Sequence, residues 1–284
     1  MDLGLFLPPL AACVVIVAIH SYLGIHVIAR EVIFVDLSLA QMAALGSAIA
    51  VLAGSEPDSA MALVYALGFT TLGAAVFALT RSDRRGRVPQ EAIIGIIYVV
   101  ASAAAILVAD RTPRGGEAIK DILVGSLLWV TWPVIARLAA IYAVIGLFHW
   151  VLRRRFLTIS FHPEVAQGQG WQVRWWDFLF YLSFGTVITF SVPIAGVLLV
   201  FSFLVVPAAI AFQFASRSWT LAVASWISGI IAAAAGLWLS FRYDLPTGPL
   251  IVCMFGLLLL LAYAVRRLLG VRTELVLESV PEGS

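Results

Sequence analysis

The sequence predicts an all-α, polytopic transmembrane helix bundle. Of its 284 residues, 62% are hydrophobic and 12% are charged, and the mean hydropathy is +1.02. Soluble domains are close to half apolar and about a quarter charged, so the composition excludes that class. The apolar residues form successive blocks of about 20 residues, the length at which a helix crosses the hydrocarbon core of a bilayer.

The breakers between these blocks give about nine predicted spans. Pro, Gly and charged residues separate most of the blocks, as expected where helices end. The spans are residues 4–28, 32–53, 59–80, 91–109, 133–152, 176–192, 195–214, 219–241 and 248–268. We find no internal repeat in the sequence, so we predict one membrane domain over 1–272 and a cytoplasmic C-terminal tail over 273–284.

The distribution of Lys and Arg predicts that the N-terminus lies outside and the C-terminus in the cytoplasm. This orientation places 13 basic residues on the cytoplasmic side and 4 on the outer side, in agreement with the positive-inside rule. Residues 118–132 are apolar but short, and a further crossing there would separate the charge clusters. We interpret that segment as a re-entrant or outer interfacial helix, with Trp129 and Trp132 at headgroup level.

The long cytoplasmic loop between the fifth and sixth spans contains a segment that has the features of a docking helix. Topology and an interfacial aromatic belt explain its arginines and tryptophans. They do not explain FHPEVAQGQG (161–170), in which Pro163 and Glu164 begin a helix and Gly168 and Gly170 close it. We therefore interpret this segment as a short surface helix that docks a partner.

Six separated segments of the sequence carry a family resemblance. They are REVIFVDLSLAQMAALG (30–46), QEAIIGIIYVV (90–100), DILVGSLLWV (121–130), HPEVAQGQG (162–170), WDFLFYLSFGTVITFSVPIAGVLLVFSFLVVPAAIA (176–211) and DLPTGPLIV (244–252). In this order and spacing they resemble the permease subunits of the ABC-3 family of zinc, manganese and iron importers. The resemblance covers residues 20–265 and implies a multi-pass protein of the bacterial inner membrane.

The resemblance also implies a function that is divided among several chains. Two permease copies form the pore, two cytoplasmic ATPase subunits drive it, and an extracytoplasmic binding protein delivers the metal, zinc first and then manganese or iron. Pro163, Glu164, Gly168 and Gly170 are then the residues that couple the permease to the ATPase. The sequence lacks a Gly-x-x-x-x-Gly-Lys-Ser/Thr phosphate loop. We therefore predict a transport subunit rather than an enzyme, with no bound cofactor and with ATP on the partner.

The second predicted span departs from the family pattern at its metal ligands. Family members carry an Asp and a His one helical turn apart, and the corresponding positions are Leu37 and Gln41. Asp36 lies one residue early, about 140° from Gln41 on a regular helix, so the two share no face. Either Gln41, Asp36 and Ser38, with His20 of the first span, form a different ligand set, or the substrate is not a bare divalent metal. The alternatives are interhelical hydrogen bonds of Gln41 and Ser38, an interfacial Asp36 and a packing role for His20.

Two prolines and three ionisable residues receive structural interpretations. Pro193 is expected to separate the sixth and seventh spans as a tight hairpin, and Pro207 to kink the seventh span. Glu91 opens the fourth span, where the helix dipole favours an acid. His26 and His149 lie close to arginines in the sequence and are expected at the membrane interface.

Two other classes of function fit the sequence less well. A stand-alone ion-coupled secondary transporter is the main alternative, but such proteins pair acids or broken helices across inverted repeats, and the sequence has no such symmetry. An intramembrane enzyme is disfavoured because neither His-Glu-x-x-His nor Gly-x-Ser-x-Gly occurs. The ATP-driven permease is therefore the leading hypothesis.

Overall fold

The computed structural model describes residues 3–57, 59–81, 88–112 and 124–270. Its helices, in chain order, are α1 (Leu3–Ala29), α2 (Val35–Leu52), α3 (Ala60–Leu79), α4 (Gln90–Ala109), α5 (Trp132–Val151), α6 (Arg153–Phe161), α7 (Pro163–Gly168), α8 (Val173–Ala195), α9 (Val197–Phe214), α10 (Ser218–Tyr243) and α11 (Thr247–Leu269). A short 3₁₀ helix, Leu127–Trp129, precedes α5. Within the described residues, nine helices are long and apolar enough to span a membrane, which confirms the predicted all-α bundle.

The spans differ in how much of their surface the folded chain covers. α4, α5 and α11 are the least buried of the nine. Val99 and Leu107 on α4 are 62% and 71% exposed, and Leu260 on α11 is 69% exposed. Helices that are apolar on their exposed faces are typical of spans that contact lipid.

The chain divides into two compact units that interleave along the sequence. Unit 1 comprises Met1–Arg30, Leu127–Ala166 and Leu198–Ser284, and unit 2 comprises Glu31–Ser126 and Gln167–Val197. The predicted single domain over 1–272 stays a prediction. The predicted tail over 273–284 lies outside the described residues.

Glycines in unit 1 allow its helices to approach one another closely. A Cβ atom added at Gly24 of α1 would lie 1.9 Å from the backbone oxygen of Leu204 on α9. A Cβ atom added at Gly236 of α10 would lie 2.6 Å from Cα of Ile251 on α11. In a bilayer, helices have no hydrophobic driving force to associate and depend on close van der Waals packing. Small residues at the crossings allow that packing. Unit 1 is therefore held by close contacts of α1 with α9 and of α10 with α11.

Unit 2 is built around α2, which packs against α3, α4 and α8. A Cβ atom at Gly46 of α2 would lie 2.5 Å from the backbone oxygen of Tyr65, so α2 and α3 touch through their backbones. The hydroxyl oxygens of Thr70 on α3 and Thr189 on α8 lie 3.1 Å apart and are hydrogen-bonded. Each hydroxyl also lies 2.8 Å from a carbonyl oxygen one turn back in its own helix. The two threonine hydroxyls therefore find their hydrogen-bond partners within the protein.

The break between α8 and α9 lies at Gly196 and not at Pro193 as expected. Pro193 is inside the last turn of α8. A proline there removes one backbone hydrogen bond, but the helix continues to Ala195. Gly196 adopts φ +77°, which a residue with a Cβ atom rarely adopts. Residues 125 and 126 cover the break: the N–H of Ser126 donates to the carbonyl oxygen of Ile194 at 2.9 Å. Pro207 lies inside α9, and its predicted kink stays a prediction.

The segment before α5 is described from residue 124 onwards and includes the 3₁₀ helix Leu127–Trp129. Trp129 and Trp132 are 77% and 56% exposed, and their position at the headgroup level stays a prediction. Residues 118–123 of the predicted interfacial helix lie outside the described residues. The predicted orientation of the termini also stays a prediction.

Candidate functional site

The first turn of α2 carries two buried polar side chains of the predicted metal pathway. Asp36 is 2% exposed, and Ser38 is fully buried. Among the described residues, neither Oδ1 of Asp36 nor Oγ of Ser38 has a hydrogen-bond partner. Buried oxygen atoms without a partner are costly to maintain inside a membrane protein. These two positions are therefore the strongest candidates in unit 2 for contact with a polar substrate.

Glu91 of α4 closes the start of the same helix. Its Oε1 accepts a hydrogen bond from the backbone N–H of Phe34, the N-cap residue of α2, at 2.9 Å. Phe34 has no side chain that could cap the helix, so the acid of a neighbouring helix takes that role. The sequence predicts an acid in the first turn of α4 but gives no sign that it caps α2.

α2 is a regular helix across the candidate residues, which fixes their faces. Ser38 and Gln41 lie about 60° apart on a helical wheel and share a face. Asp36 lies about 140° from Gln41, so the structure brings Ser38 and Gln41 together but leaves Asp36 on another side. Among the described residues, no group of three His, Cys, Asp or Glu side chains could hold a metal ion. The arrangement suits a weak, transient contact with an ion and not a permanent metal centre.

His20 lies in the core of unit 1 and is fully buried. Its Nδ1 lies 2.9 Å from the carbonyl oxygen of Ile16, one turn earlier in α1. A carbonyl can only accept, so Nδ1 carries the hydrogen and Nε2 of the neutral ring carries a lone pair. Nε2 has no hydrogen-bond partner among the residues that the structure describes. A lone pair of this kind can bind a metal ion or a proton.

The predicted docking helix exists and is α7. It begins at Pro163 and ends at Gly168, and the positive φ of Gly170, +71°, turns the chain after it. The backbone N–H groups of Val165 and Ala166 donate to the carbonyl oxygen of His162, which anchors the helix start. Ala166 is the buried residue of α7, whereas Glu164, Gly168 and Gly170 are exposed. The helix therefore presents most of its surface outward.

A pocket of unit 2 lies at the end of α7. Its volume is about 430 Å³, and its lining includes Arg81, Gln167, Trp171 and Arg174. Arg81 forms an ion pair with Asp177 of α8, whose side chain is buried. Arg81 therefore connects the end of α3 to the start of α8. This structural role comes in addition to the predicted effect of its charge on membrane topology. The sequence gives no signal for this pair because its members lie far apart in the chain.

Two histidines that the sequence analysis expects at the membrane interface are buried within unit 1. His26 and His149 are 0% and 1% exposed, and their depth in the membrane stays a prediction. Nδ1 of His26 lies 2.8 Å from Oγ of Ser160, and the hydroxyl of Tyr22 lies 3.4 Å from Nδ1 of His149. Arg30 also donates to Ser160, from Nε at 2.8 Å. A buried polar cluster therefore joins α1, α5 and α6.

Comparison with known proteins decides the family. The sequence matches the ABC 3 transport family over residues 4–266. The chain belongs to this family. Solved structures share the fold: PsaBC of Streptococcus pneumoniae in complex with Fab has a TM-score of 0.76 at 20% identity, with 92% of both chains covered.

Curated relatives of this ABC 3 family chain carry names of metal transport systems. A manganese transport system membrane protein, MntC of Halalkalibacterium halodurans, is 25% identical over 270 residues, 93% of this chain and 88% of MntC. A Haemophilus influenzae membrane protein named for an iron transport system is 25% identical over 205 residues, 72% of each chain. The match to a metal transport system membrane protein of Chlamydia muridarum is shorter and spans 61% of that protein.

Proposed function

We propose that this ABC 3 family chain is the membrane-spanning permease subunit of an ATP-driven importer for a divalent transition metal. The match to the family over residues 4–266 carries the proposal. The relatives named for manganese and iron transport support a metal as the substrate. Because the sequence lacks a phosphate loop, ATP hydrolysis belongs to a separate cytoplasmic subunit. The further expected partners are an extracytoplasmic metal-binding protein and a second permease copy, and the expected location is the bacterial inner membrane.

The side chains of α2 favour manganese over zinc. The candidate donors there are the oxygen atoms of Asp36, Ser38 and Gln41, and oxygen donors suit manganese better than the nitrogen and sulfur ligands that zinc prefers. The sequence analysis ranks zinc first because of the family resemblance alone. We therefore propose Mn²⁺ as the first ion to test, with Fe²⁺ and Zn²⁺ as competitors.

We propose separate roles for the candidate residues of the two units. In unit 2, Ser38 and Gln41 offer oxygen atoms from one face of α2, and Asp36 supplies a carboxylate at the start of the helix. In unit 1, the Nε2 lone pair of His20 is a further ligand. Weak contacts of this kind favour transport because an ion must leave the pathway as readily as it enters.

We propose that α7 is the contact with the ATPase. Pro163 starts this helix, exposed Glu164 offers a charge to the partner, and Gly168 and Gly170 end it. The exposure of the helix and its anchored start support this role, since a coupling element must be accessible to its partner and firmly connected to the permease.

Uptake by proteoliposomes tests the proposal. The chain is purified with the ATPase subunit that accompanies it in native membranes, reconstituted, and supplied with radioactive Mn²⁺ and with ATP on the ATPase side. We expect uptake that requires ATP and that falls in Asp36→Asn, while Thr71→Val, which removes a hydroxyl that donates to the carbonyl oxygen of Leu67 in its own helix at 2.7 Å, serves as the control. Uptake by the chain alone would instead favour the ion-coupled secondary transporter, and uptake insensitive to Asp36→Asn would remove that residue from the pathway.

A further inference from the structure

The helix α6 leads directly into the proposed coupling helix and is buried on one side. α6 ends at Phe161 and α7 begins at Pro163, so a single residue, His162, lies between them. The N–H of His162 donates to the carbonyl oxygen of Thr158 at 2.7 Å, and His162 in turn accepts from the first N–H groups of α7. Backbone hydrogen bonds therefore connect α6 to α7 without a flexible linker. Any force on α7 reaches α6.

The hydroxyl of Ser160 fixes α6 to the end of α1. Ser160 is 3% exposed. Its Oγ accepts a hydrogen bond from Nε of Arg30 at 2.8 Å and lies 2.8 Å from Nδ1 of His26. Arg30 can only donate, so the hydrogen of the hydroxyl is available to the His26 ring. Hydrogen bonds to a charged group are the stronger ones, and burial keeps water from replacing them.

Aromatic contacts support the same junction from α5. The ring of Phe156 on α6 stacks on His149 of α5, with centroids 4.5 Å apart and planes 19° apart. The ring of Tyr22 on α1 packs edge-on against His149, with centroids 5.5 Å apart. These rings help to hold α1, α5 and α6 together, and Ser160 adds a directional contact between α6 and α1. Its loss would let α6 shift without unfolding the cluster.

A metal site in this cluster is the competing interpretation. The ring centroids of His26 and His149 lie 6.5 Å apart, and two imidazoles are common ligands. However, the guanidinium of Arg30 bonds to the same hydroxyl as His26. The guanidinium carries a permanent positive charge, and in a buried environment such a charge repels a divalent cation. The arrangement therefore suits a mechanical link better than a metal centre.

We propose that Ser160 is a positioning residue for energy coupling: it fixes α6, and through it α7, to α1, so that displacement of α7 by the ATPase moves the transmembrane helix. This inference rests on the proposed function, because it requires an ATPase that acts on α7. In this role Ser160 acts through α6 and α7 and not directly on substrate or nucleotide. Its effect is on the number of ions transported for each ATP hydrolysed.

Matched hydroxyl deletions test this role in the reconstituted complex with its ATPase. Ser160→Ala removes the link, and Thr158→Val removes a buried hydroxyl of the same helix that donates to the backbone carbonyl oxygen of Arg154 at 2.7 Å. We expect Ser160→Ala to retain the ATPase subunit and to hydrolyse ATP, but to consume about three- to tenfold more ATP for each Mn²⁺ ion transported. We expect Ser160→Thr to restore the ratio and Thr158→Val to leave it unchanged. Ser160→Cys, with a weakly bonding thiol, takes the place of Ser160→Ala if the alanine variant does not fold.

The outcomes separate the two proposals. A wild-type complex that transports Mn²⁺ with ATP, together with a Ser160→Ala complex of unchanged ratio, overturns the positioning role and leaves the proposed function intact. An equal rise of the ratio in Thr158→Val overturns it as well. A wild-type complex without ATP-dependent uptake overturns the proposed function, and this inference falls with it.

Discussion

Substitution of Gly24 by Ala tests whether the close crossing of α1 and α9 stabilises the protein. The added Cβ atom would lie 1.9 Å from the oxygen and 2.9 Å from the carbon of the Leu204 carbonyl group. Both are backbone atoms, so no change of rotamer can relieve the clash, and the helices must separate by more than about 1 Å. Overpacking costs about 1–3 kcal/mol, and a backbone clash belongs at the upper limit, about 3 kcal/mol.

The helix propensity of Ala offsets about 1 kcal/mol of this cost, which leaves a net loss of about 2 kcal/mol. A loss of this size lowers the melting temperature by about 4–8 °C in a chain of this length class. The assay is thermal unfolding in one detergent, followed by the fluorescence of the nine tryptophans. Gly256→Ala on α11 is the control, because a Cβ atom there meets nothing within 4 Å. Equal melting temperatures for the two variants would refute the argument.

Three further substitutions test other contacts in the same unfolding assay. Glu91→Ala removes the cap of α2 at Phe34 and should cost about 1–2 kcal/mol, and a melting temperature like that of the wild type would show that the cap does not contribute. Arg81→Ala removes the charge-assisted contact of Arg81 with the buried Asp177 and should cost about 1.5–3 kcal/mol, whereas the double variant with Asp177→Ala should cost less than the two single changes together. If the costs simply add, the pair is not coupled. Gly196→Ala forces φ +77° and ψ 155° on a residue with a Cβ atom and should cost about 1–3 kcal/mol, which an unchanged melting temperature would contradict.

The spans and the docking helix could be predicted because their signals are local. A block of about 20 apolar residues has few alternatives in a membrane, and Pro163 followed by glycines marks both ends of α7. Pro193 shows the limit of such signals. Proline is an ambiguous marker near a helix end, since α8 continues past Pro193 to Ala195, and the deciding feature is the positive φ of Gly196.

The polar contacts could not be predicted because they join distant parts of the chain. Glu91 has the sequence context of an acid in its own helix, yet it binds the N–H of Phe34, 57 positions away. His26 is separated from Ser160 by 134 positions, and nothing in the sequence around Ser160 distinguishes it from an ordinary surface serine. The faces of α2 are different: regular helix geometry predicts from the sequence alone that Asp36 and Gln41 point apart, and the structure has this geometry.

The outward faces of α4, α5 and α11 should evolve differently from the glycine crossings. A Leu107 or Leu260 that faces fluid acyl chains, which adapt to almost any apolar shape, can be replaced by isoleucine, valine or phenylalanine at little cost. Gly24 has no such freedom, because the backbone of α9 occupies the space that any other residue would need. Among descendants of this protein, the lipid-facing positions should therefore drift in identity while they keep their hydrophobicity, and the crossings should stay glycine.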